Sequence, residues 1–214
     1  MSKSNFSHIF TIVDNMVDAA ITDIEADGEQ ISCRKGCMHC CYLLVEISWE
    51  EASELANWIV GQPEASRNRL IGSIKESAAD AKEFFLSDPK TAHYLEGWAE
   101  DEDLPEEIYD RYFQEKARPC PFLSFGKCEA YVARPTPCRL HMVSSEPSIC
   151  SREVEDDEDY NIPDRVDELR EEVGPVISAM CKDGRWGLLS LLVQEALVEK
   201  GLLKQDLGSV KAVS

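Results

Sequence analysis

Four cysteines fall within nine residues, Cys33-Arg34-Lys35-Gly36-Cys37-Met38-His39-Cys40-Cys41. Packing does not ask for this density. A buried cysteine behaves as a small hydrophobe, and this stretch is polar and contains a glycine. Metal coordination does ask for it, because a tight loop brings several thiolates to one centre at about 2.3 Å from zinc or iron. Gly36 permits the sharp backbone path this requires. Cys40 and Cys41 are adjacent, and neighbouring side chains usually diverge. The pair therefore points to two metal sites, or to one polynuclear centre with an outer thiol.

The remaining cysteines lie at 120, 128, 138, 150 and 181. From Arg118 to Cys150 the chain carries five prolines and four cysteines, and helical periodicity disappears. The prolines fix the backbone of a loop without regular hydrogen bonding and so lower the entropy cost of holding thiolates in place. Both cysteine segments, 33–41 and 118–150, are expected to converge and to owe their order to metal bonds. Phe122, Leu123 and Tyr131 are placed either to shield that centre or to serve as ordinary core.

Charge singles out the same segments. The chain holds 22 Lys and Arg against 41 Asp and Glu, a formal charge of −19. Yet 33–41 and 116–141 contain seven basic residues and only Glu129 as an acid. A thiolate-rich centre is anionic, and Arg134 and Arg139 are read as stabilising it and lowering its thiol pKa values. The alternative for the basic residues is ion pairing with acidic helices. The overall acidity argues against a nucleic-acid or anionic-membrane binder. No apolar run reaches the roughly 18 residues of a membrane helix, and the first twenty residues lack a secretory pattern. The expectation is a cytoplasmic protein whose cysteines are ligands or redox groups rather than disulfides.

Elsewhere the pattern is helical. Apolar residues from Ile9 to Ile24 recur at helical spacing, and Asp27-Gly28 ends the run. A short, extended apolar stretch is read over Tyr42 to Ile47. Ser48 and Glu51 form a capping box ahead of a helix to Val60. Further helices are predicted over 64–86, 92–99, 105–116, 164–181 and 186–200. Residues 100–103 and 153–159 read as exposed acidic stretches, and the last dozen residues as fraying. The fold class expected is mainly α, one domain over 1–214, with helices around an irregular cysteine-rich metal-binding centre.

The combined pattern, CxxxCxxCC followed by CPFL, Cys128, Tyr131 and RPxxCR, resembles the YkgJ-type cysteine-cluster family, described as chelating zinc or iron. Flagellin lysine N-methylases are similar in the same motif. The match runs through Cys33, Cys37, Cys40, Cys41, Cys120, Cys128 and Cys138, and covers about a quarter of the chain. The resemblance implies a bound metal centre and leaves its metal and activity open. Cys150 continues the spacing as an eighth ligand, whereas Cys181, at a helix end, reads as a packed or exposed thiol. Tyr131, Arg134 and Arg139 are the residues expected around the cofactor. His39 and His141 lie within the cysteine segments, where imidazole can replace a thiolate.

Cys33, Cys37 and Cys40 also have the spacing of a radical S-adenosylmethionine cluster, but the alternating strands of its α/β barrel are missing. Three functions follow. One is an iron–sulfur or zinc protein with a structural, redox or sensory centre. The second is a protein-modifying enzyme like the lysine N-methylases, although no methyl-donor site is readable. The third is a zinc-stabilised module whose acidic surface meets a basic protein partner. The number of thiolates, their basic flank and the adjacent pair favour iron–sulfur over Zn2+.

Overall fold

The computed structural model describes residues 5–96, 98–99, 104–116, 118–150 and 161–204. It is mainly helical. Helix α1 (Asn5–Ala26) buries Ile9, Phe10, Val13, Val17, Ala20 and Ile24, the stripe that three- and four-residue spacing dictates. Strand β1 (Glu46–Ser48) leads into α2 (Trp49–Val60). The capping box forms as expected: the Glu51 backbone N–H donates to Ser48 Oγ at 3.3 Å, and the Ser48 N–H donates to Glu51 Oε2 at 3.0 Å. Helix α3 (Glu64–Leu86) follows, then β2 (Trp98–Ala99) and α4 (Glu106–Glu115). The proline-rich segment folds as a hairpin, β3 (Leu123–Ser124) and β4 (Lys127–Cys128), and a short α5 (Thr136–Leu140). Helix α6 (Asp164–Ser178), β5 (Arg185–Leu188) and α7 (Leu189–Glu199) complete the described chain.

Three expectations are corrected. Residues 92–99 do not form one helix: a 3-10 turn covers Ala92–Glu96, and Trp98–Ala99 pairs with β5. The helix predicted over 186–200 begins only at Leu189, because Arg185–Leu188 is the centre of a three-stranded antiparallel sheet ordered β1–β5–β2. Residues 118–150 are not devoid of regular structure, since each proline-bounded stretch closes a short element of its own. The acidic stretches 100–103 and 153–159, and the end of the chain beyond 204, lie outside the described residues.

Packing divides into three apolar clusters. The first joins α2, α3 and α7, with Phe122, Ala130 and Ala133 of the proline-rich segment added to it. The second joins α1 and α6 around Val13, Val166 and Val173, with Leu140 and Met142. In the third, Phe84 and Phe85 at the end of α3 meet Ile108 and Tyr112 of α4. Cys120 and Cys128 lean on the first cluster, whereas Leu140 and Met142, just past Cys138, belong to the second. The cysteine segments are thus wedged between two cores. Among the described residues, no helix is long and apolar enough to cross a membrane.

Candidate metal centre

The first cysteine segment turns on Gly36, at φ +100°, a conformation that a side chain strains. There the Cys37 N–H donates to the Arg34 carbonyl at 2.9 Å. A 3-10 turn over His39–Tyr42 then carries Cys40 and Cys41. The second segment is stitched to the first along the backbone. The Cys120 N–H donates to the Cys41 carbonyl at 2.6 Å, and the Ser32 N–H to the Val143 carbonyl at 2.9 Å. Order in these segments therefore comes partly from protein hydrogen bonds, a contribution their composition did not announce.

Cys33, Cys37, Cys40, Cys41, Cys120, Cys128 and Cys138 all line one cavity of about 220 Å³ between α1 and α2. Tyr131, Arg134, Arg139 and His141 line it too. As the side chains stand, no three Cys, His, Asp or Glu among the described residues are close enough to form a metal-holding group. All nine cysteines are free thiols.

The thiols sense one another. The Cys41 thiol, hydrogen-bonded to Cys40, holds the Cys40 pKa far above its ordinary value, with burial adding to the effect. Burial raises Cys120 and Cys138, and neighbouring thiols add to both. Burial likewise raises Cys33 and Cys128. Cys150 does not line the cavity, but burial and the nearby Cys33, Cys40 and Cys37 push it up to about 11. Cys181 stands apart, packed on the α1–α6 cluster.

The two arginines have different roles. Arg134 opposes the upward shifts at Cys40, Cys128 and Cys138, and its Nη2 also lies 3.9 Å from Asp14 Oδ1. Its guanidinium lies 4.2 Å from the Tyr131 ring centroid, and its Nε is buried without a hydrogen-bond partner. Lys35 covers the same ring at 5.2 Å. Arg139 lines the cavity, but its fork is committed elsewhere: to Asp14 of α1, to the Arg134 carbonyl at 2.8 Å and to the Val132 carbonyl at 3.0 Å. It brackets the loop rather than facing it. Lys116 and Arg118 pair with Glu83, Glu76 and Asp80 of α3, the ion-pair alternative for the basic flank.

Two residues that hold the site gave no sign of that role in the sequence. Asp14 reads as one more acid on the polar face of α1. Glu51 was visible only as a cap, yet its second oxygen accepts the Thr136 N–H at 2.7 Å, fixing the start of the helix that bears Cys138. His141 lines the cavity, and burial, with Arg170 nearby, lowers its pKa. His39 does not line it. Compared with known proteins, the chain finds no matching family model, no matching curated protein and no matching solved structure.

Proposed function

We propose that this chain is a metal-binding protein of the reducing cytoplasm that holds a thiolate-ligated centre, an iron–sulfur cluster before zinc, in a structural, redox or sensory role. The observation that carries the reading is the convergence of seven cysteines, from segments about eighty residues apart, on one small cavity. The donor set fits such a group in kind. Thiolates bind iron and zinc, and the number here exceeds the four that one tetrahedral zinc takes. The resemblance to the YkgJ-type pattern supports the same conclusion.

Cys33, Cys37, Cys40, Cys41, Cys120, Cys128 and Cys138 would hold the group, with Cys150 beside the first three. An iron–sulfur cluster supplies one-electron chemistry when bound. The protein's part is to supply thiolates, to compensate their charge with Arg134 and to limit water with Tyr131 and the flanking apolar residues. Because most of these thiols have raised pKa values, loading must release protons.

The test is anaerobic purification followed by iron, zinc and acid-labile sulfide analysis. Iron and sulfide together, in a brown protein, are expected. Stoichiometric zinc without sulfide would replace the cluster by zinc. Protein that takes up neither metal under reducing conditions would overturn the reading.

A further inference from the structure

A second and larger cavity, about 470 Å³, lies directly behind the thiol chamber, and Cys40, Val45, Cys138 and His141 stand in the wall common to both. Its volume is within the range of small-molecule sites, and its lining is predominantly apolar, with a few polar groups. The Arg170 guanidinium, the Trp186 indole and the Thr136 hydroxyl are donors among them, and Arg170 also donates from Nη1 to Asp167 Oδ1 at 2.7 Å and from Nη2 to the Leu140 carbonyl at 3.4 Å. Trp186 Nε1 and Thr136 Oγ1 are both buried without a hydrogen-bond partner, a condition native proteins rarely leave unanswered. The acid in the wall is Glu46.

Gly174 lies in the interior of α6 and lines the cavity, and a Cβ added there would meet no side chain or distant backbone atom within 4 Å. Glycine is among the poorest helix formers, so close packing does not account for its presence. A glycine there eases the steric restriction that Pro175 imposes on the residue before it.

We propose that this cleft is a binding site for a small apolar molecule carrying one carboxylate. The carboxylate faces Arg170, an acceptor satisfies the Trp186 N–H, and the apolar body lies along α6. A ligand so placed sits against Cys40 and Cys138, on the reverse side of the thiol chamber. The proposal goes beyond the metal-binding reading and does not depend on which metal the thiols hold.

The probe is 1-naphthaleneacetate, with the neutral 1-naphthaleneacetamide as its control, titrated calorimetrically into the protein as purified anaerobically. Saturable one-site binding of the acid is expected. Arg170→Gln, a partly exposed substitution, should weaken the acid about tenfold and leave the amide unchanged. Trp186→Phe should weaken both, and Gly174→Leu should abolish both. Gly174→Leu is scored only if its thermal transition matches the parent; otherwise Arg170→Gln and Trp186→Phe decide. No saturable binding of either probe up to about 1 mM would overturn the proposal. So would an acid affinity that Arg170→Gln leaves intact, or probe binding that survives both Trp186→Phe and a folded Gly174→Leu. Metal and sulfide content, measured on the same preparations, reports separately on the thiol centre.

Discussion

Glu51 is fully buried, and its carboxylate accepts from Ser48 and from the Thr136 backbone, so one side chain starts two helices. Removing it strands donors in the interior. Glu51→Ala should cost about 2–4 kcal/mol, combining a lost cap with an unsatisfied buried N–H. Glu51→Gln keeps an acceptor and should fall between parent and alanine in urea denaturation. A Glu51→Ala midpoint equal to that of the parent would show that Thr136 finds another acceptor. The thiols divide in a similar way. Cys37→Ser should lose metal because Cys37 lines the chamber, whereas Cys181→Ser should retain it, since Cys181 packs on the α1–α6 core. Metal stoichiometry of the two variants, prepared side by side, checks the assignment; the reverse pattern would refute it.

Among the elements, the β3–β4 hairpin is the least comfortable. Its two-residue loop places Phe125 at φ +48° and Gly126 at φ +72°, both in the left-handed region, as a type I′ turn requires. Phe125 is also fully exposed, at 102%. An aromatic residue there gains no burial and accepts a strained backbone, so Phe125→Asn should stabilise the protein by about 0.5–1 kcal/mol without changing metal content. A lower thermal midpoint in that variant would mean that the ring contributes contacts to folding. This scale also shows where the sequence was readable. Helices α1 to α4 were visible because their apolar periodicity is local, and the Ser48/Glu51 cap is a four-residue signal. Strand β5 was not. Trp186-Gly187-Leu188 runs directly into the apolar residues of α7, and it is extended only because β1 and β2 flank it from distant parts of the chain. The site divides along the same line. Cysteine density disclosed the chamber's lining, but the brackets from Asp14 and Glu51, and the cleft behind α6, arise from packing between remote helices.

For the molecule as a whole, the raised thiol pKa values set a pH dependence. Cys33, Cys40, Cys120, Cys128, Cys138 and Cys150 all keep their protons more firmly in the folded chain than a thiol ordinarily does. Folded protein then binds more protons than unfolded protein from about the ordinary thiol value, near 8.5, up to the raised folded values, so the slope of stability with pH is negative across that window. The metal-free protein should hold its thermal midpoint up to about pH 8 and lose it progressively between about pH 9 and 11. Metal affinity should move the opposite way, strengthening as pH rises, because each ligating thiol must give up its proton. Scanning calorimetry across that range, with and without metal, tests both signs, and a metal-free midpoint that rises with alkalinity would contradict them.

The hydrogen bond from the Cys120 N–H to the Cys41 carbonyl has a consequence for biosynthesis. About eighty residues separate its ends. At a translation rate of about 5–20 residues per second, the first four thiols leave the ribosome on the order of 4–16 s before their partners exist. During that interval Cys33, Cys37, Cys40 and Cys41 carry free thiols without the Cys120, Cys128 and Cys138 that share their cavity in the folded chain.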